Sequence, residues 1–355
     1  MHSYSFFFDM WESIIEENLL QWSRDIKNGN ILYFCPNEYE TTAVATALLI
    51  AIQQALEISN TELHFVFGSW KPYIYITPYA NMKMYQWPFF WLTSGFYRSV
   101  PIEESLDNIA TRKIKYLMGA LNNNPHPWRL VFMEECARLN LLDNNKTIVS
   151  WSSTASYTMQ QIEHALARGE ISHPFVHWKP QSRIYDNPSA GDRIRENCVP
   201  KDFEKSFVTV ITESNANASF ITEKTGKALF LGMPFMIQSA EGTHKYLEEN
   251  GFTMYHHLFD YSFDQDPSWI SRTRRILQEV NKYKDADWQA LFDRPETKAI
   301  AVLNQKRLVE LAFSDEHNGK EYWHIDSNRG RDAVYLQRYY SNHDYFKQFV
   351  PRNKY

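Results

Sequence analysis

The sequence predicts an α/β protein built as two Rossmann-like domains facing a cleft, and three observations carry that expectation. Residues 30–69 run strand, helix, strand, as "NILYFCP", the helical "ETTAVATALLIAIQQALEI" and "ELHFVFGS". The same order recurs in "RKIKYLM", "WRLVFMEECARLNLL" and "KTIVSW" between 112 and 151. A third unit starts with "FVTVIT" at 207–212, passes through a helical run and returns as an apolar strand ending near 237. Short β-rich apolar runs alternating with helical patterns read as βαβ units, and such units build parallel sheets. We therefore expect an N-terminal α/β domain over 1–115 and a second over 116–290. A C-terminal helical segment, 291–355, would pack back on the first domain.

The elements follow in order. Residues 10–27 carry an amphipathic helical pattern stopped by Asn28 and Gly29. Pro36 closes the strand of 30–36, and Glu40, Thr41 and Thr42 open the helix of 40–58. The aromatic-dense stretch 70–98 holds one expected strand, at 73–77. "NNNPHP" at 122–127 is a turn-rich junction. Residues 157–200 read as loops with one helix at 157–168. In "GFTMYHHLFDYSFD" (251–264), His256 and His257 fall on an expected strand, and "WISRTRRILQEVNKYK" (269–284) is a helix.

Composition narrows the class. With 44% hydrophobic and 22% charged residues, the chain is expected to fold around a core. A net charge of −5 leaves no electrostatic footprint for non-specific nucleic-acid binding. Cys35, Cys136 and Cys198 stand apart, which fits neither a zinc site nor a disulfide framework. The most apolar run, "TTAVATALLIAI", is shorter than the roughly 18–20 residues a membrane helix needs. The expectation is a soluble, cytoplasmic protein with no membrane span. Dinucleotide, Walker and Gly-x-Ser-x-Gly motifs are missing, which argues against a dehydrogenase, a P-loop kinase and an α/β-hydrolase.

The chemistry-bearing stretch is "VITESNANASFITEKTGKALF". In an open parallel sheet, ligands sit beyond the carboxyl ends of strands, where helices begin. A helix N-terminus offers free N–H groups and the positive end of the macrodipole, which suits phosphate oxygens. Ser219 or Thr222 is placed to cap this one. Lys224 would face a diphosphate, Glu223 would accept from the paired hydroxyls of a ribose or sugar, and Glu213 and Asn215 would reach the same place. Each residue also has a plain structural reading. Glutamate is favoured in any first turn, and Lys224 and Lys227 can be solvated. Gly232 and Pro234 are a helix stop.

On these residues, the segment 207–237 resembles the donor-binding motif of glycosyltransferase family 10, the α1,3-fucosyltransferases, in its phage, virus or bacterial form. The matching positions are Thr212, Glu213, Ser214 and Asn215, then Phe220 to Lys224, then Gly232, Met233 and Pro234. Where the family has Glu-Asn-Ser, this chain has Glu213, Ser214 and Asn215. The resemblance implies a GT-B fold and an inverting transfer of a fucose-like sugar from a nucleotide-sugar donor, GDP-fucose, to a hydroxyl of a glycan acceptor. It implies that Glu223 holds donor hydroxyls and Lys224 faces the diphosphate. "ALNNNPHPWRLVFMEECARLNLL" resembles the start of the family's donor domain and implies that Arg129 clamps the phosphates. "HLFDYSFD" (257–264) resembles an element found after the motif in related transferases. The family takes its general base from a glutamate after a strand of the first domain, which makes Glu38 and Glu40 the candidates here.

No metal is assigned. Asp264 and Asp266 precede Pro267 and a helix, so helix capping accounts for them, and Asp285 and Asp287 sit at a helix end. Pro174 lies between His173 and His177 and argues against a metal-binding helical pair. Two other function classes remain open from the sequence. One is a glycosyltransferase acting on a nucleic-acid base, against which the acidic balance counts. The other is a non-catalytic protein that binds nucleotide or carbohydrate.

Overall fold

The computed structural model describes residues 2–6, 32–36, 63–67, 82–86, 102–122, 126–151, 202–213 and 221–313, with isolated positions between them. The chain divides into two compact units, Met1–Phe90 with Phe313–Tyr355, and Trp91–Ala312. The class is α/β, and each unit carries a parallel sheet.

In the first unit, β1 (His2–Phe6), β2 (Leu32–Pro36), β3 (Leu63–Phe67) and β4 (Met82–Gln86) lie side by side in chain order, all parallel. Phe34 stands opposite Phe65, and Phe65 opposite Met84. β2 and β3 are the strands expected from "LYFC" and "LHFVF". β1 and β4 were not foreseen. The strand expected at 73–77 and the helices expected at 10–27 and 40–58 lie outside the described residues.

The second unit runs α1 (Ile102–Thr111), β5 (Tyr116–Ala120), α2 (Pro127–Arg138), β6 (Thr147–Val149), β7 (Ser206–Thr212), α3 (Glu223–Phe230), β8 (Phe235–Gln238), α4 (Thr243–Glu249), α5 (Trp269–Asn281), α6 (Trp288–Phe292) and α7 (Pro295–Phe313). All seven residues of β7 and all four of β8 are buried. Strands covered on both faces read as continuous apolar runs, which is why these two were legible.

The strand order here is β6, β5, β7, β8, all parallel. The crossover from β5 to β6 therefore runs one way along the sheet and that from β7 to β8 the other. Right-handed crossovers in opposite directions lie on opposite faces. Their packing agrees. α2 lies against α5, with Glu135 bonded to Arg274 at 2.8 Å, whereas the end of α3 meets α1 and α7.

The end of α3 shows how tightly that second contact is made. Gly232 adopts φ +59°, its N–H donates to Leu229 O (3.1 Å), and Met233 N–H donates to Ala228 O (3.0 Å). This pair of bonds satisfies the last carbonyls of the helix, and a Cβ on Gly232 would meet Ile109 at 2.5 Å. Ser105 and Arg112 donate to the Phe230 and Leu231 carbonyls beside it.

One expectation is corrected. His256 and His257 lie in a turn, not on a strand, and a 3-10 turn follows at Tyr261–Gln265. Leu258 and Phe259 both donate to Tyr255 O, and Asp260 accepts from Ser262 N, so local bonds replace the ladder an alternating pattern suggested. Of the two Asp-x-Asp strings, the second caps the helix that follows it, but the first does not cap α5 as its position before Pro267 suggested. Asp264 accepts from His244 N and Lys245 N at the start of α4, while Ser268 caps α5 and Asp287 caps α6. Among the described residues, no helix is long and apolar enough to cross a membrane.

Candidate functional site

The reversal of strand order falls between β5 and β7, so α2 and α3 leave their strands on opposite sides of the sheet. That divergence opens a crevice at the carboxyl ends, the place where open α/β sheets bind ligands. A buried polar pair closes its floor: Thr212 Oγ1, at the end of β7, donates to Asn122 Oδ1, two residues beyond β5, at 2.5 Å. Asn122 N donates to Ser150 Oγ at 3.0 Å. Asn122 is fully buried, yet among the described residues its Nδ2 finds no hydrogen-bond partner. A buried amide donor without an acceptor costs about 1–3 kcal/mol, so this one needs an explanation.

α2 starts above that floor. Pro127 occupies the first helical position, where its missing N–H is not needed, and His126 precedes it in an extended conformation. No side chain among the described residues bonds to this helix start as a cap. The first turn is pinned to β7 and β8 instead. Trp128 Nε1 donates to Glu213 O (3.1 Å), Gln238 Nε2 to Trp128 O (3.1 Å), and Arg129 Nη2 to Thr212 O (3.0 Å). Arg129 is only 2% exposed, so its guanidinium braces the end of β7 from within. His126 stacks on Trp128 with ring centroids 4.9 Å apart and planes 14° apart. Burial, then the charges of Arg129 and Lys224, press the imidazole from its ordinary 6.5 down to about 4.

α3 starts on the other side, and its start is already filled. The Glu213 carboxylate, fully buried, accepts from Thr222 N (3.0 Å), Thr222 Oγ1 (2.5 Å) and Thr225 Oγ1 (2.6 Å). Thr222 is the N-cap and accepts from Lys224 N at 3.3 Å. Lys224 is partly exposed, and its Nζ donates to Thr222 Oγ1 at 3.2 Å. Of the two caps considered from sequence, Ser219 and Thr222, the helix uses Thr222.

The structure thus brings Arg129, Glu213, Thr222 and Lys224 to one end of one sheet. Glu223 stands in the first turn of α3. Asn215, Glu38 and Glu40 lie outside the described residues. Sequence reasoning passed over Asn122, His126, Trp128 and Thr225. The only trace of the first two was "NNNPHP", whose turn-forming composition accounted for every residue in it. His177 is tied by its backbone to Glu134 of α2 (2.9 and 3.1 Å), and His173 lies outside the described residues. Among the described residues, no group of three or more His, Cys, Asp or Glu is placed to hold a metal ion.

Comparison of the chain with protein-family models, curated proteins and solved structures returns no match.

Proposed function

We propose that the chain is an inverting glycosyltransferase of GT-B type that uses a nucleotide-sugar donor, with the donor diphosphate seated at the β5–β7 crevice. The observation that carries this reading is the crevice itself. Among the described residues it combines a helix start without a side-chain cap, a buried Asn122 amide without an acceptor, and cationic groups from both flanking helices. The family 10 resemblance supplies GDP-fucose as donor and a glycan hydroxyl as acceptor.

In this reading the acceptor oxygen attacks the anomeric carbon while the bond to the diphosphate breaks. The charge developing on the leaving oxygen is stabilised by the α2 N-terminus and by Lys224 reaching from α3. Glu223 accepts from donor hydroxyls. Arg129 and Glu213 hold the two helix starts in position, since their polar atoms bond to β7 and to Thr222 and Thr225. Glu38 or Glu40 takes the acceptor proton.

Thermal shift against GDP-, UDP- and CMP-sugars tests the reading, because a ligand that binds the native state raises its stability by mass action. A GDP-sugar should raise Tm and be consumed with release or transfer of the sugar. A flat response across the panel overturns the proposal. A shift without any sugar release identifies a binding protein rather than a transferase.

A further inference from the structure

We propose that Phe313–Tyr355, which belongs to the first compact unit, covers one face of the β1–β4 sheet, the polar one. The inference is independent of the glycosyltransferase reading.

Register divides that sheet into two unlike faces. Successive residues of a strand belong to opposite faces, and residues paired between parallel strands share one. Leu32, Leu63 and Met82 therefore lie on the same face as Phe34, Phe65 and Met84. The polar members of that face, His2, Tyr4 and Gln86, all belong to the two edge strands. The opposite face carries Ser3 and Ser5 of β1, Tyr33 of β2, His64 of β3, and Lys83 and Tyr85 of β4. Cys35 and Val66 complete it.

Strand order then assigns the cover. β1 to β4 stand in chain order, so all three connections step the same way along the sheet. Right-handed crossovers that step one way lie on one face. The first two contain the amphipathic pattern of 10–27 and the apolar helical run of 40–58, which suit the Leu, Phe and Met face. That leaves the polar face without a crossover, although an all-parallel sheet is normally covered on both sides. Beyond the strands and their connections, the first unit has only Met1, residues 87–90 and Phe313–Tyr355 to give. The long segment has the reach. At helical spacing Tyr335, Tyr339, Phe346 and Phe349 fall on one stripe, with Asn342 among them. A helix from 335 to 349 spans about 22 Å, at 1.5 Å per residue. Crossing four strands takes about 14 Å. Rings accompanied by hydroxyl and amide groups also match a face of Tyr, His and Ser better than an aliphatic stripe would.

Photo-crosslinking in the full chain reads both faces. With p-benzoylphenylalanine in place of Tyr33 or Tyr85, the peptides captured within one chain should come from 314–355. With the same probe in place of Phe65, they should come from 7–31 or 37–62, the first two connections. Capture of those connections by the Tyr33 and Tyr85 probes overturns the proposal, because crossovers then cover the polar face. A covalent dimer formed through either tyrosine position overturns it in favour of a second copy of the chain. A folded variant that captures nothing also overturns it, since the face is then open. If neither tyrosine variant folds, the unaltered protein gives the same reading through Lys83, which shares their face. An amine-reactive crosslinker should join Lys83 to 314–355, and crosslinks confined to the rest of the chain, or none, overturn the proposal.

Discussion

The starts of α2 and α3 face one crevice, carry the same backbone device and are completed in opposite ways. Both expose N–H groups at the positive end of a helix dipole. At α3 the protein supplies the anion itself, since Glu213 takes one backbone and two hydroxyl hydrogens and Thr222 caps the turn. At α2 no described side chain caps the helix, and a neutral histidine stands where a cap would be. The lesson is that a helix start adjacent to a motif is not thereby the place for a ligand. An incoming phosphate at α3 would compete with Glu213, whereas at α2 it would complete an unfinished structure.

The largest expected effect breaks the comparison outright. Replacing Glu213 by Ala should destabilise the fold by about 3 kcal/mol or more, because three buried donors lose a charged acceptor. Denaturant unfolding measures this. If stability is unchanged and only nucleotide affinity falls, Glu213 belongs to the ligand and the two helix starts are alike after all. Next in size is Lys224→Ala. Its side chain is partly exposed, so stability should hold while donor affinity or turnover falls at least about tenfold, or ~1.4 kcal/mol. Unchanged binding and rate would remove Lys224 from the phosphate site.

The same contrast explains what could be read in the sequence. The Thr222 cap, the apolar face of α3 and its Gly232 stop are local, so residue types and spacing disclose them. β7 and β8 are buried throughout and read as apolar runs. β1, "HSYSF", and β4, "MKMYQ", mix polar and apolar residues and gave no such run. The turn of Glu213 toward Thr222 and Thr225 spans nine and twelve residues through a loop, and spacing alone could not orient the carboxylate. The Asn122–Thr212 contact joins positions 90 residues apart and depends on β5 lying beside β7. That adjacency is a strand-order decision made by the crossover between β6 and β7. No periodicity in 152–201 announces it, so the crevice was invisible while its most local residues were not.

The smallest effect sharpens the comparison from the α2 side. Folded His126 releases its proton at about 4 and the unfolded chain at 6.5, so acid loads the unfolded state first. The stability this represents is complete above the unfolded value and is lost as pH falls toward the folded one. At pH 6 the deficit is somewhat under ~1 kcal/mol, growing with further acidification. Wild-type protein should therefore lose stability faster than His126→Gln between pH 7.5 and 5.5, as read by parallel urea titrations. Parallel curves would mean that the imidazole is neither buried nor held near Arg129 and Lys224 as the structure has it, and the α2 start would lose its distinction.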